Sequence, residues 1–393
     1  MHPSEEIYEE KSSKLEGKRI VLGMTGSIAV TECFYAVREL IRHGAEVFPV
    51  MTEAAAKLAA PDSMEFASGR PPVLSLTGRT EHVDLMGAAD LLLIYPATAN
   101  TVSKIANGID DTPVTSMAAV ALGSGTPVAV VPAMHESMYR NPAVSANVER
   151  LRSWGVRFIG PRTDGVRAKA ASRDEVVENV IRILSKGPLT GRRVLVVGGR
   201  SEEPIDSMRV ITNRSSGRTA LALALRAFEM GADVELWMGG ADVQVPEWLP
   251  SRRFSSVEDL LSMVPSASCD LAVVPAALAD FKPDKVIEGK ASSDSGLDLR
   301  LVPVEKVLPS LCRRCPRVIG FKAESGLDEA QLAAKARSRL EKYGLAAVVA
   351  DDVSVAGKSC SKVYFITADS CEPISGTKDE VADGILERAA RLL

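Results

Sequence analysis

A chain of 393 residues is longer than one ordinary hydrophobic core, and roughly 100–200 residues per domain points to two units. Apolar residues at 46% and charged residues at 25%, both signs interleaved, exclude a disordered or fibrous chain. The net charge of −4 supplies no basic face for nucleic acid or an anionic membrane, although local anion sites stay open.

The first sixteen residues, MHPSEEIYEEKSSKLE, lack the apolar core of a signal peptide and read as a polar arm. No later apolar run approaches the roughly 20 residues that span a bilayer, so the expected location is cytoplasmic, with neither membrane nor nucleic acid as partner. Arg19-Ile20-Val21-Leu22 then opens a strand that leads into Gly23-Met24-Thr25-Gly26-Ser27. A helix over 36–42, His43-Gly44 and a strand over 45–50 follow, with glycine in its usual place past a helix end. The glycine-rich turn can offer backbone N–H groups and the Ser27 hydroxyl to a phosphate at the positive helix end; a tight turn with a serine N-cap explains it equally well.

Strands over 91–95 and 128–131 each open onto a run of small or polar residues, PATANT at 96–101 and PAMHESMY at 132–139. A helix over 174–184 ends before Lys186-Gly187-Pro188-Leu189-Thr190-Gly191, where Gly and Pro cluster, which divides the chain into 17–187 and 188–393. The same grammar then restarts: Arg193-Val194-Leu195-Val196-Val197, Gly198-Gly199-Arg200, a helix over 221–230, Gly231 and a strand over 232–237. Further strands are expected over 271–274, 318–321 and 346–350. Strands alternating with helices imply an α/β protein of two doubly wound, Rossmann-like domains with parallel sheets, whose ligands bind at the carboxyl ends of the strands.

Together with Glu81-His82-Val83-Asp84-Leu85 and Met51-Thr52-Glu53-Ala54-Ala55, the PATANT and PAM loops resemble the homo-oligomeric flavin-containing cysteine decarboxylases, a flavodoxin-like fold. The resemblance implies FMN held by Gly26, Ser27, Thr52, Pro96, Ala97, Thr98 and Asn100, with His82 as the active-site base. It implies a redox-neutral cycle: the thiol end of phosphopantothenoylcysteine is oxidised, carbon dioxide leaves, and the enethiol is reduced again. His135, Met138, Tyr139 and Lys169 are the implied substrate contacts. Most bacterial relatives carry Asn where His135 stands, and a histidine there can donate a hydrogen bond to the substrate carboxylate. Those relatives also carry a flap cysteine that protonates the enethiol, whereas this stretch reads Asp164-Gly165-Val166-Arg167-Ala168-Lys169-Ala170 and no cysteine occurs between Cys33 and Cys269. An archaeal branch of the bifunctional family shares both features; Lys169 or Tyr139 is then the candidate proton donor.

The second half contains Glu203-Pro204-Ile205-Asp206 and Thr212-Asn213-Arg214-Ser215-Ser216-Gly217-Arg218, a Ser/Gly/Arg run that suits phosphate. With Ala276-Ala277-Leu278-Ala279-Asp280-Phe281, Gly320-Phe321-Lys322-Ala323-Glu324-Ser325 and Val349-Ala350-Asp351-Asp352-Val353, it resembles the phosphopantothenate-cysteine ligases. The implied chemistry joins 4'-phosphopantothenate to cysteine through an acyl-nucleotidylate made from CTP or ATP, with Mg2+. Asn213 would hold the intermediate and Lys290, ten residues beyond Asp280, would be the catalytic lysine. Ala276, Ala277, Asp280, Lys290, Lys306 and Phe321 would bind nucleotide. The phosphate-binding helical lysine maps to Lys335 counted forward from Phe321 and to Arg339 counted back from the last strand. No metal ligands are assigned. Flavin-domain trimers and ligase-domain dimers are the implied assembly.

Six scattered cysteines read as reduced thiols rather than a disulfide framework, and the C-x-x-C of Cys312 and Cys315 lacks a second pair or a nearby histidine. Two further readings stay open: a ligase whose flavin domain is only a scaffold, and a regulatory flavoprotein. Retention of His82, Asn213 and Lys290 argues against the latter.

Overall fold

The computed structural model describes residues 2–163, 168–185, 187–292, 296–324, 329–352 and 361–393. The chain divides into two compact units, Met1–Ser185 and Lys186–Leu393.

In the first unit β1 (Arg19–Met24), β2 (Glu46–Met51), β3 (Leu91–Ala97), β4 (Val128–Pro132) and β5 (Arg157–Phe158) form one parallel sheet in the order β2-β1-β3-β4-β5. That is the flavodoxin-like winding, with the order reversing between β1 and β3. All seven residues of β3 are buried, which is why it reads as an unbroken apolar run rather than an alternation. Side chains alternate between two cores: Ile20, Leu22, Leu91 and Leu93 face one, while Val21, Leu92 and Ile94 face the other.

The opening residues, expected as a polar arm, pack on this unit instead. Leu15 is fully buried and Ile7 lies against the same core. The helix α1 (Cys33–Arg42) ends with carbonyls that no further helical turn satisfies. The opening segment supplies the donors: the N–H of Glu9 reaches Ile41, that of Lys11 reaches Arg42, and that of Leu15 reaches His43, at 3.2, 3.0 and 2.7 Å. Lys11 also pairs with Glu39, and Glu10 with Arg42.

The second unit carries β6 (Arg193–Gly198), β7 (Asp233–Met238), β8 (Ser251–Arg253), β9 (Leu271–Val274), β10 (Val318–Glu324), β11 (Ala347–Asp352), β12 (Ser361–Ile366) and β13 (Cys371–Gly376). Their order is β8-β7-β6-β9-β10-β11-β12-β13. The first six are parallel in the Rossmann 3-2-1-4-5-6 order, but β12 and β13 run antiparallel, so this sheet is mixed rather than wholly parallel. Thr367 to Ser370 is too short for a parallel crossover, which needs a dozen or more residues, and a hairpin is what remains. Two short hairpins, Glu202–Pro204 with Val210–Thr212 and Phe281–Pro283 with Leu301–Pro303, follow the carboxyl ends of β6 and β9.

Cys269 and Cys315 form a disulfide, 5.7 Å apart at Cα, which corrects the expectation of six reduced thiols. The partner of Cys315 is thus distant in sequence, and Cys312 of the C-x-x-C pair stays free. Among the described residues no helix is long and apolar enough to cross a membrane.

Candidate active sites

In the first unit three strand-end loops converge. After β1, Gly26 lies so close to Ala54 that an added Cβ would stand 2.6 Å from the alanine Cβ; no other residue fits between these turns. Ser27 caps a 3-10 turn over Ile28–Glu32, accepting from the Ala29 N–H, before α1 begins. After β2, Thr52 is tied to β1 through its N–H to the Met24 carbonyl at 3.0 Å, and its hydroxyl caps the turn Glu53–Ala56. After β3, Thr25 binds the third loop: its hydroxyl donates to the Pro96 carbonyl at 2.7 Å and accepts from the Thr98 N–H at 3.0 Å. Thr98 caps the helix Ala99–Ala106, and Asn100 is exposed in its first turn. Gly26, Ser27, Thr52, Pro96, Ala97 and Thr98 therefore form one polar cradle at the carboxyl edge of the sheet. Thr25 stitches it together, though no family motif singled that residue out; its only signal in sequence is a hydroxyl side chain one residue before Gly26.

His82 is half-buried on the short helix Glu81–Gly87, and its Nδ1 is buried without a hydrogen-bond partner among the described residues. An orphaned ring nitrogen of that kind fits a group that completes the site. His135 caps Glu136–Tyr139, accepting from the Ser137 N–H at Nδ1, 3.2 Å away. The donor role expected of this histidine is restricted by the cap to Nε2. Met138 is exposed and Tyr139 half-buried on the same turn, which the buried Glu136 anchors by pairing with Arg140. Lys169 pairs with Arg162 through its backbone, but its side chain and residues 164–167 lie outside the described residues.

In the second unit Ala276, Asp280, Lys306, Phe321, Arg339 and Tyr343 line one cleft. Lys306 pairs with Asp280 and, chiefly through that hydrogen bond, holds the carboxyl below the usual aspartate range. Arg339 Nε is buried with no hydrogen-bond partner among the described residues, while Lys335 stands exposed outside the cleft. Of the two expected positions for the helical cation, Arg339 lines the cleft and Lys335 does not. Tyr343 was missed, although it sits one helical turn beyond Arg339 with the guanidinium 5.5 Å from its ring centroid.

Ala277 faces the loops rather than the cleft: its N–H reaches the Gly199 carbonyl at 2.8 Å. Asn213 donates its amide to the carbonyls of Ala277 and Leu278 at 3.2 and 2.9 Å, so only its oxygen remains for a ligand. Lys290 is exposed and lies outside the cleft lining. Among the described residues no group of three His, Cys, Asp or Glu side chains could hold a metal ion.

Residues 8–185 match the Flavoprotein family model and residues 189–393 match that of the DNA/pantothenate metabolism flavoprotein C-terminal domain. The coenzyme A biosynthesis bifunctional protein of Thermococcus kodakarensis is 42% identical, each chain covered in full. That of Methanocaldococcus jannaschii is 36% identical over 100% of this chain and 98% of its own. Among solved structures, a DNA/pantothenate metabolism flavoprotein from Streptococcus pneumoniae aligns with 52% of this chain and 100% of its own, at 23% identity and a TM-score of 0.48. With both halves matched and relatives aligned from end to end, this chain belongs to the family of coenzyme A biosynthesis bifunctional proteins.

Proposed function

We propose that the chain performs two successive steps of coenzyme A assembly: the second unit ligates cysteine to 4'-phosphopantothenate at the expense of a nucleotide, and the first decarboxylates the product to 4'-phosphopantetheine with FMN. The observation that carries this reading is the convergence of strand-end loops in both units of one chain, a polar cradle in one and a cation-lined cleft in the other.

In the first unit the cradle residues Gly26, Ser27, Thr52 and Pro96 to Asn100 would hold FMN, and the helix-capping N–H groups suit its phosphate. FMN, when bound, supplies reversible hydride chemistry at the cysteinyl thiol carbon. His82 takes the proton from the substrate, and Nε2 of His135 donates to the carboxylate that is lost. Tyr139 or Lys169 returns the proton that the flap cysteine gives in other relatives.

In the second unit Arg339 and Lys306 bind the triphosphate of CTP or ATP, with Mg2+ entering on the phosphates, since such sites need only one or two carboxylates from protein. Lys290 steadies the charge on the α-phosphorus as the pantothenate carboxylate attacks, and pyrophosphate leaves. The cysteine amine then displaces the nucleoside monophosphate. A cytoplasmic location and a homo-oligomer, trimeric through the flavin unit and dimeric through the ligase unit, complete the reading. The exposed Ile28 beside Ser27 and the exposed Val210, Phe281 and Leu301 on the two hairpins would offer apolar surface to such contacts.

The test is a purified protein supplied with phosphopantothenate, cysteine, Mg2+ and either CTP or ATP. A bound-flavin spectrum, pyrophosphate and carbon dioxide are expected. The missing flap cysteine favours one alternative, a working ligase on a flavin scaffold; phosphopantothenoylcysteine that accumulates without carbon dioxide would establish it instead.

A further inference from the structure

Lys290 stands on an exposed turn, yet the residue after it is tied to a buried carboxylate and the residue before it to the neighbouring loop backbone. Asp206 is 4% exposed. Its Oδ1 accepts the N–H groups of Met208 and Arg209, both at 2.7 Å. Its Oδ2 accepts the N–H of Ala291 at 3.0 Å and Nη1 of Arg209 at 2.5 Å. The same guanidinium nitrogen donates to the Ala291 carbonyl at 3.3 Å. On the other side of the lysine, the Gly289 carbonyl accepts the Ser207 N–H at 2.9 Å, and two residues earlier Ile287 donates to Ile205 at 2.9 Å. Gly289 has φ of 72°, a left-handed conformation that glycine adopts without strain and that aims the next residue out of the turn.

Four donors on one carboxylate are more than folding a tight turn requires. Two of them close the loop over 206–209; the third is the residue after Lys290, and the fourth also grips that residue's carbonyl. The N–H of Met208, then those of Ala291 and Arg209, hold the Asp206 carboxyl well below the usual range, so the charge persists through the working pH range. The loop continues into the strand Val210–Thr212 and then Asn213, whose amide grips Ala277 and Leu278 beside the cleft.

We infer that Asp206, with Arg209, is the positioning residue for Lys290: the pair fixes the backbone immediately after the lysine, and so sets where the ammonium group stands during ligation. The inference rests on the proposed role of Lys290 in that reaction. Asp206 touches no reacting atom; its effect passes through the lysine alone.

Asp206→Asn keeps the shape but turns one acceptor into a donor, which must face either the Met208 and Arg209 N–H groups or the Ala291 N–H and the guanidinium. In the full-length holoenzyme, pyrophosphate release is measured for the wild type, Asp206→Asn, Lys290→Gln and the double variant, with flavin content and melting temperature as controls. A misplaced lysine should cut kcat by about 10- to 100-fold with KM for cysteine within about twofold, and add less than about twofold in the Lys290→Gln background. An unchanged kcat in Asp206→Asn, or an equal loss with and without Lys290, overturns the inference while leaving the ligase reading intact. Full activity in Lys290→Gln overturns the role of Lys290, and with it the inference, while the ligation itself stands. If Asp206→Asn does not fold, Arg209→Gln enters the same cycle, since it removes the guanidinium bonds and leaves the three N–H bonds to Asp206.

Discussion

Lys306 and Asp280 are both well exposed at the mouth of the ligase cleft, so their ion pair is worth at most about 1 kcal/mol to folding. Its place beside Phe321 and Arg339 gives it a different use: a lysine held next to an aspartate can let go of it when a triphosphate arrives. Lys306→Ala is therefore expected to raise the nucleotide KM about tenfold while moving Tm by less than about 3 °C, checked by steady-state kinetics and calorimetry. Residue types were legible here because their chemistry is carried in motifs. Partners were not: Lys335 and Arg339 are equivalent cations in sequence, one turn apart on the same helix face, and only the position along the helix puts Arg339 in the cleft lining and leaves Lys335 outside it. In the same way the capping bond from Ser137, not residue type, decides which nitrogen of His135 can donate.

Loops built on glycine are the elements most sensitive to a single added carbon. At Gly26 a methyl group would collide with Ala54, pushing the first and second strand-end loops apart. Gly26→Ala is thus expected to cost about 1–3 kcal/mol and to lose most of the bound flavin, read from the absorbance spectrum and thermal unfolding of the purified protein. Strands β1 to β4, β6, β7 and β9 to β11 were readable as apolar runs, because a parallel strand covered on both faces has no polar side to disguise it. The pair β12 and β13 was missed, although Lys362-Val363-Tyr364-Phe365-Ile366 has the β-branched and aromatic content of a strand. Polar composition likewise hid the opening segment, whose hold on α1 is made by backbone N–H groups that any sequence could supply. The disulfide joins residues 46 apart, a distance no spacing rule reads.

Each unit has cores on both faces of its own sheet. Expressed alone, residues 1–185 are expected to bind FMN and decarboxylate phosphopantothenoylcysteine, and residues 186–393 to ligate, each within about threefold of the full chain. Loss of either activity on separation, measured with purified halves, would mean that one unit completes the other's site. The division into two α/β units was legible from the repeated strand-glycine-helix grammar. The mixed sheet of the second unit was not, since antiparallel addition at an edge follows from loop length rather than from pattern.

The helix Lys378–Ala390 packs against Arg218–Glu229 and buries Val381, Ile385 and Leu386 in the core under β6 and β7. Ribosomes deliver that helix after everything it touches. The ligase unit cannot close its core until these residues have emerged, whereas the flavin unit has been complete since Ser185. At about 5–20 residues per second, the roughly 200 intervening residues give the flavin unit a lead of about 10–40 s. Nascent chains can take up flavin, and even meet one another, before the half that makes their substrate has folded.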